Sequence, residues 1–465
     1  MNAVLSRGLI TLAVTGGFLA LGAGVAYADD GTSGDDGTGS GNQAVLGVTL
    51  PITIGGNGIS ILGDSSSSGS SNTGSSGGGS SSPSVSTGGV GGLLSGSQGV
   101  ADASVPVTIG GNAISVLGDS QSEGSSFAGA GGEAESSTAG TSGKQGILGG
   151  SQAVGTVDAP VAVGGNAISV LGDSYSGQSG SATGTAGSGS SASGSTSGED
   201  STLGGTQVMT DAGIPVTIGG NAVSVLGDSS TEGSSVTGGE AAGEGSGNAT
   251  TGGSDAIASG SQVVGDADVP VTVGGNAISV IGDSASEGAV TGAAGSGSGT
   301  EGATTGGTDS TLGGTQVVAP AAVPVTAGGN AISVIGDSSS SDAMVTSPGT
   351  TGGSDPATSG ENGTLGGSQI VTPIDAPITL GGNAISVVGD STTTGTTTGG
   401  GDPGDDGDGE VGGETTTPGV MPAAVGGVTL LAATGSGLLI PALVLALLML
   451  AAGATAMVRA RTAQR

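Results

Sequence analysis

The 465-residue sequence has no cysteine, histidine or tryptophan, and only two phenylalanines and two tyrosines. Without cysteine and histidine, the chain cannot contain a disulfide, a thiol nucleophile, a Cys/His zinc site or a histidine general base. Serine is abundant, but no base that could activate it is evident. A pair of catalytic carboxylates would need a rigid cleft, which this composition is not expected to build. We therefore expect a protein that is not an enzyme and that carries no cofactor or metal.

Basic residues are also scarce, since the chain has five of them against 38 acidic residues and a formal net charge of −33. Arg7, Arg459, Arg461 and Arg465 lie near the two ends, so Lys144 is the single basic residue between them. Proteins bind nucleic-acid phosphates with lysine and arginine. The sequence therefore argues against a nucleic-acid partner.

A stretch of about 16 residues is repeated seven times, and its second copy reads VPVTIGGNAISVLGDS. The copies recur with a period of 53 to 55 residues, which is typical of a repeat architecture. They occupy residues 48–65, 105–120, 159–174, 214–229, 269–284, 323–338 and 376–391.

Each copy predicts a β-hairpin. In the second copy, Val107 and Ile109 alternate with small or polar residues, and Ile114 and Val116 do so again after an interruption. This alternation of period two is typical of strands. Glycine and asparagine accept the positive φ angles of tight turns. The predicted hairpin turn consists of Gly110, Gly111 and Asn112.

An aspartate ends every copy. These residues are Asp64, Asp119, Asp173, Asp228, Asp283, Asp337 and Asp390. Calcium takes six to eight oxygen ligands, so one carboxylate per repeat is too few, although stacked copies could pool theirs. The favoured interpretation is an aspartate in a turn that terminates the second strand.

A short Gly-Ser/Thr-Gln element precedes most copies. Its glutamines are Gln98, Gln152, Gln207, Gln262, Gln316 and Gln369. The element is either an additional short strand, in which stacked glutamines could form a hydrogen-bond ladder, or a remnant of the linker.

The predicted fold class is a mostly disordered, low-complexity chain that carries seven short, all-β hairpin repeats. The linkers, such as 121–149 and 177–205, and the segment 29–47 have too few apolar residues to offset the entropy of ordering. An isolated hairpin is marginal in water, so its apolar face must be buried. Copies could stack within one chain, or they could pair between chains as cross-β segments do.

Residues 1–28 are interpreted as a secretory signal peptide. Arg7 precedes an apolar stretch, and Ala26, Ala28 and Asp29 mark a small-x-small cleavage site. We therefore expect the chain to be exported.

The C-terminal region predicts a surface anchor. An acidic, Thr/Gly-rich spacer at 392–430 precedes the segment 431–465, in which residues 438–458 form an apolar run long enough to span a bilayer. The terminal arginines favour a cytoplasmic C-terminus. Such a segment is either a sorting signal that is cleaved during anchoring or an ordinary C-terminal anchor helix that stays in the membrane.

The repeat resembles the chaplins, small secreted surface proteins of filamentous actinobacteria. The match lies in VPVTVGGNAISVIG at 269–282, with the family's turn cysteine replaced by glycine in every copy, as at Gly110. The second cysteine and the apolar segment of the family are missing. The resemblance implies amyloid-like assembly, with itself and with other chaplin-like proteins, into a coat that makes the surface hydrophobic.

The C-terminal segment resembles a sortase cell-wall sorting signal, in the LAxTG form read by class E sortases. The matching pentapeptide is Leu431, Ala432, Ala433, Thr434 and Gly435. The resemblance implies that a sortase cleaves after Thr434 and joins the chain to peptidoglycan, so that the membrane is a partner only before sorting.

These observations predict a structural cell-wall protein that self-associates through its hairpins. The alternative is an adhesin or stalk whose repeats stack as a β-solenoid. Recognition surfaces usually use aromatic or charged residues, and the repeats contain no aromatic residue and one acidic residue each.

Overall fold

The computed structural model describes most of the chain between residues 31 and 400. The described ranges are 31–33, 36, 43–74, 84–91, 96, 98–129, 137–147, 150–183, 192–202, 205–239, 248–257, 260–292, 302–311, 314–347, 356–364 and 367–400. Within these ranges the fold is all-β, without a helix. None of them contains a helical segment that could cross a membrane.

The chain winds through seven coils, and each coil contributes a strand to each of six parallel sheets. The sheets are named A to F in chain order. Coils 1 to 6 contain six strands each, and coil 7 contains β37–β43 because its sheet B strand is split in two. Of the two arrangements that the sequence left open, the structure shows the copies stacked within one chain rather than paired between chains.

Sheets A, B and C consist of the first strands of each coil. Sheet A contains β1 (Gly31–Ser33), β7 (Ser84–Gly88), β13 (Ser137–Ser142), β19 (Ala192–Ser197), β25 (Ala249–Gly252), β31 (Thr304–Gly306) and β37 (Ala357–Ser359). Sheet B contains β2 (Gln43–Thr49), β8 (Gln98–Ser104), β14 (Gln152–Asp158), β20 (Gln207–Gly213), β26 (Gln262–Asp268), β32 (Gln316–Ala322), β38 (Gln369–Val371) and β39 (Ile374–Asp375). Sheet C contains β3 (Ile52–Gly55), β9 (Val107–Gly110), β15 (Val161–Gly164), β21 (Val216–Gly219), β27 (Val271–Gly274), β33 (Val325–Gly328) and β40 (Ile378–Gly381).

The remaining strands complete each coil. Sheet D contains β4 (Gly58–Leu62), β10 (Ala113–Leu117), β16 (Ala167–Leu171), β22 (Ala222–Leu226), β28 (Ala277–Ile281), β34 (Ala331–Ile335) and β41 (Ala384–Val388). Sheet E contains β5 (Ser65–Ser68), β11 (Ser120–Glu123), β17 (Ser174–Gly177), β23 (Ser229–Glu232), β29 (Ser284–Glu287), β35 (Ser338–Ser341) and β42 (Ser391–Thr394). Sheet F contains β6 (Ser71–Thr73), β12 (Ser126–Ala128), β18 (Gly180–Ala182), β24 (Ser235–Thr237), β30 (Val290–Gly292), β36 (Met344–Ser347) and β43 (Thr397–Gly400).

The hairpin prediction is wrong. The two strands of a copy, such as β9 and β10, do not pair with each other but enter sheets C and D, where each pairs in parallel with its counterparts in the adjacent coils. Ala113 thus lies opposite Ala167, and Ile109 opposite Val163. One sequence period equals one coil, so the residues of an inner strand lie opposite their equivalents one period away.

Parts of the linkers are also ordered, contrary to expectation. The predicted linker 121–149 contributes strands β11, β12 and β13 to sheets E, F and A. The linker 177–205 contains β18 and β19, and the predicted spacer 392–430 begins with β42 and β43, the last two strands of the solenoid. Within 29–47, residues 31–33 and 43–47 also lie in strands. Stacking of the repeats holds each linker beside its counterparts, and the resulting hydrogen bonds offset the ordering entropy that the linker's few apolar residues cannot.

The interior divides into an apolar part and a polar part. Between sheets A and B lies an apolar cluster of Val85, Val100, Ala139, Val154, Met209, Ala249, Val264, Ala303 and Val318. Sheets C, D and E instead direct small polar residues inward, such as Thr108, Ser115 and Ser122. The larger aliphatic residues of the repeat therefore face outward, and Ile168 remains 38% exposed. This differs from the expectation that the apolar face of each repeat is buried.

Candidate functional site

The predicted turn residues form a corner between sheets C and D. Gly110 is the last residue of β9, and Gly111 and Asn112 connect it to β10. Gly111 has a φ of 66°, as the sequence predicts, and the equivalent glycine of every coil also has a positive φ. Asn112 is not among the residues with positive φ. The presence of asparagine at this position in all copies is therefore explained by its side chain rather than by its φ angle.

The corner asparagines form a continuous column through the solenoid. Each side-chain Nδ2 donates to the Oδ1 of the asparagine one coil earlier, over 2.7–2.9 Å. The backbone N–H of the same residue donates to the same Oδ1, over 3.1–3.2 Å. The column consists of Asn57, Asn112, Asn166, Asn221, Asn276, Asn330 and Asn383. The amides thus lock the register of the coils.

An apolar groove runs along the outside of this corner, with a volume of about 760 Å³. Its sheet C wall consists of Ile54, Ile109, Val163, Ile218, Val273, Ala327 and Leu380. Its sheet D wall consists of Ile59, Ile114, Ile168, Val223, Ile278, Ile332 and Ile385. The asparagine column lies between the walls, and no lining residue is charged or aromatic. At the spacing of parallel strands, seven coils make the groove roughly 30 Å long.

The first glycine of the corner is required by packing rather than by its φ angle. In sheet C this glycine faces inward, against the inward side chain of sheet F from the preceding coil. A Cβ at Gly164 would overlap the ring of Phe127, and one at Gly274 would overlap Val236. The glycine therefore makes room for the side chains with which sheet F closes the coil.

The aspartates that end each copy also form a column, at the outer corner between sheets D and E. The Oδ1 of each one accepts the backbone N–H of the aspartate in the next coil, over 2.8–3.0 Å. In the described coils, no three acidic side chains are arranged to hold a metal ion. Each carboxylate therefore caps a backbone N–H at this corner of the next coil.

The glutamine element is the beginning of sheet B, and its glutamines point inward. Gln262 donates to Gln207 over 3.3 Å, and Gln316 donates to Gln262 over 3.1 Å. The extra strand and the ladder that the sequence left open are therefore both present. Gln369, in the last coil, is exposed and bonds to the Pro356 carbonyl instead.

A group of carboxylates lies inside the solenoid at the end of sheet B, which the sequence analysis missed. Asp268 is 1% exposed, and burial together with the charges of Asp266 and Asp211 raises its pKa to about 9. Burial also raises the pKa of Asp211 to about 6, opposed by the Thr156 hydroxyl that donates to it. Asp268 is therefore protonated at neutral pH.

Interior serines are engaged with the backbone. The sheet E hydroxyls of Ser122 and Ser176 donate to the carbonyls of Gly111 and Gly165, over 2.8 and 2.7 Å.

On the outer surface, Lys144 forms an ion pair with Glu199 of the next coil, with 2.6 Å between Nζ and Oε2. This carboxylate raises the pKa of the lysine.

The predicted processing sites lie outside the described residues. These are the cleavage site at Ala26, Ala28 and Asp29, the sorting motif from Leu431 to Gly435, and the apolar run 438–458. Of the predicted site residues, the structure therefore places only the corner Gly110, Gly111 and Asn112.

The comparisons with known proteins found no match: no family model, no curated protein and no solved structure is similar to the chain. The function therefore has to be argued from the fold, the repeated outer face and the sequence motifs.

Proposed function

We propose that the chain is a non-enzymatic surface protein, an adhesin or stalk whose seven repeats stack as one β-solenoid. The observation that carries this proposal is that each copy pairs in register with the neighbouring copies of the same chain, as Ala113 does with both Gly58 and Ala167. The repeats thus satisfy one another and need no partner chain to fold. The stacked repeats form one solenoid with a continuous aliphatic groove along its length.

The proposed location is the cell wall. The motifs that support it are the signal-like segment 1–28, the spacer 392–430 and the LAATG motif at 431–435. In this proposal, sortase and peptidoglycan are the partners, and Thr434 is the residue whose carbonyl is transferred. The part of the spacer that follows β43, residues 401–430, would hold the solenoid away from the wall.

The solenoid proposal can be tested on residues 29–426, which contain every described strand and all of its pairings. At submicromolar concentration we expect a compact monomer whose sheet signal in circular dichroism melts cooperatively. Small-angle scattering should give the dimensions of the solenoid. A chain that is unfolded as a monomer and gains sheet signal only when fibres form would contradict the proposal.

Wall anchoring can be tested by replacing Thr434. In a host with a class E sortase, Thr434→Ala should abolish the covalent, detergent-resistant wall fraction and leave the protein in membranes or medium. Thr429→Ala, five residues upstream, is the matched control and should anchor normally. Equal anchoring of both variants would remove the sorting signal from the proposal.

A second candidate function is the hydrophobic coat implied by the chaplin resemblance. The observation that favours it is the outward-facing aliphatic residues of sheets C and D. If the intact solenoid coats surfaces through this face, replacing Ile168 and Ile278 by serine should reduce its adsorption at an air–water interface. Unchanged adsorption would leave the stalk as the better proposal.

A further inference from the structure

The two ends of the solenoid expose surface that is covered in every inner coil. In the outer column of sheet D, Ile59 of coil 1 is 74% exposed and Ile385 of coil 7 is 47% exposed, against 38% for Ile168 in coil 3. The strands of coils 1 and 7 are also edges, because each pairs with only one neighbour. Unpaired edge strands are templates for another chain.

Coil 7 has hydrogen-bond donors without an acceptor in the described part of the chain. In inner coils, the N–H after each corner asparagine donates to the asparagine carbonyl of the next coil, as Ala331 donates to Asn383 over 2.7 Å. The equivalent donor in coil 7 is the N–H of Ala384, and no later coil follows it among the described residues. The N–H of Ser338 likewise donates to the Asp390 carbonyl, and its equivalent in coil 7, the backbone N–H of Ser391, has no such acceptor in the described part of the chain.

Coil 1 has the acceptors that these donors would use. The carbonyls of Asn57 and Asp64 are the counterparts of those of Asn383 and Asp390, and no coil precedes them in the described residues. The side chains match in the opposite direction. Asn57 has no earlier asparagine to which it can donate, while the Oδ1 of Asn383 receives no hydrogen bond from a later one.

The side chains of the two end coils also correspond position by position. A coil 1 that followed coil 7 would place Ile52 on Ile378, Thr53 on Thr379 and Asn57 on Asn383, as the register of the inner coils requires. The contact would repeat the apolar, hydroxyl and amide columns that already join the coils within one chain. It therefore continues an interface that the molecule forms six times.

From this correspondence we propose that the solenoid binds a second copy of itself head to tail, coil 7 of one molecule against coil 1 of the next. Such a contact joins two different surfaces, so it does not close after two copies and generates a linear filament. The joined units are folded solenoids, and the inference rests on the fold rather than on wall anchoring.

The negative charge of the chain opposes this association. The formal net charge is −33, and the stacked Asp390 and Asp64 would add another like-charge neighbour to an acidic column. Salt screens exposed charges, with a Debye length of about 8 Å at 0.15 M ionic strength. Filaments should therefore lengthen as the salt concentration increases.

Two variants block one end each. Asn57→Asp keeps an oxygen that accepts from Asn112, but it places a carboxylate against the Oδ1 of Asn383 in a second copy. Thr379→Pro removes an N–H that points away from coil 6, because successive N–H groups of a strand alternate in direction and that of Ile378 points to coil 6. Ser66→Asp adds the same charge on the outer face of coil 1 and is the matched control.

The experiment is sedimentation velocity of residues 29–426 over a range of protein and salt concentrations, with electron microscopy of the products. We expect the unmodified chain and Ser66→Asp to form rods that lengthen without widening. Asn57→Asp and Thr379→Pro should each associate at least about tenfold more weakly, a difference of about 1.4 kcal/mol. An equimolar mixture of these two variants should stop at dimers, because each retains the end that the other lacks.

Other results would overturn the inference. If the folded, unmodified chain stays monomeric throughout, the ends do not bind and the stalk proposal survives alone. If the blocked variants associate as the unmodified chain does, the contact is lateral. A chain without sheet signal would contradict the solenoid itself.

Discussion

Asp268 shows how the fold acts on a single ionisable group. Its side chain points from the end of a sheet B strand into the interior of the solenoid. Burial, together with the charges of Asp266 and Asp211, raises its pKa to about 9. The folded state therefore holds a proton that the unfolded state releases above its ordinary pKa of about 4. Stability from this group is complete below pH 4 and is lost as the pH rises through 9.

We therefore predict that the solenoid is more stable at pH 5 than at pH 8. For one group with these two pKa values, the free energy of unfolding falls by up to about 1.4 kcal/mol per pH unit over this interval. Asp268→Asn keeps the position neutral and should flatten the dependence. Chemical unfolding at several pH values measures it.

The control for this prediction is Asp228→Asn, which changes an exposed carboxylate of the corner column. This variant should retain the pH dependence of the unmodified chain. If Asp268→Asn retains it as well, the dependence comes from other carboxylates, such as Asp211, or from the net charge of the molecule.

The asparagine column gives a second prediction for single residues. Asn221 donates to Asn166 and accepts from both the side chain and the backbone of Asn276. Asn221→Ala leaves buried amide groups without partners and should lower the free energy of unfolding by about 2–4 kcal/mol. Asn57→Ala, at the end of the column, should cost about half as much. Equal small losses in chemical unfolding would show that the column does not hold the coils in register.

At the scale of the elements, sheets C and F depend on each other through glycine. Phe127 of β12 lies over Gly164 of β15, so the ring occupies the space that a side chain at that position would need. The glycine in sheet C and the large inward side chain in sheet F of the preceding coil therefore pack as one unit.

A double-mutant cycle tests this unit. Gly164→Ala should destabilise the folded chain by about 1–3 kcal/mol because overpacking displaces the ring. In a Phe127→Ala background, the same substitution should cost about 1–2 kcal/mol less, since the ring is gone. Additive effects on the free energy of unfolding would contradict the packing contact.

The sequence predicts some of these elements and conceals others for physical reasons. Period-two alternation in residues 105–120 correctly indicates strands, and Gly111 correctly indicates a positive φ angle. The alternation does not reveal which face is buried, and here Thr108 and Ser115 are inside. The pairing partner was also hidden, because a Gly-Gly-Asn stretch can turn a strand back or bend it into the next sheet. The ordering of β11 to β13 depends on pairing with the adjacent coils, which are far away in the sequence, so local composition does not report it.

The whole molecule behaves as a one-dimensional stack, in which each coil pairs with the coils before and after it. Deleting residues 214–268, one full period, joins equivalent positions and should give a folded solenoid that is shorter by about 4.8 Å. Deleting 214–240, half a period, removes the sheet C to F strands of coil 4 and leaves coils 3 and 5 without a partner in those sheets, so it should lower the melting temperature and the cooperativity of unfolding. Scattering and thermal unfolding distinguish the two. Equal tolerance of both deletions would contradict the stacked fold.

The ion pair between Lys144 and Glu199 has a consequence for resistance to proteolysis. Proteases of the trypsin type cleave after lysine or arginine, and between Arg7 and Arg459 this chain offers them only the bond after Lys144. That bond lies at a corner where the lysine is held by Glu199 and the N–H of Gln145 by the Glu199 carbonyl, over 3.0 Å. Trypsin-type proteases therefore have one cleavable bond between Arg7 and Arg459, and it lies where an ion pair and a backbone hydrogen bond restrain the chain.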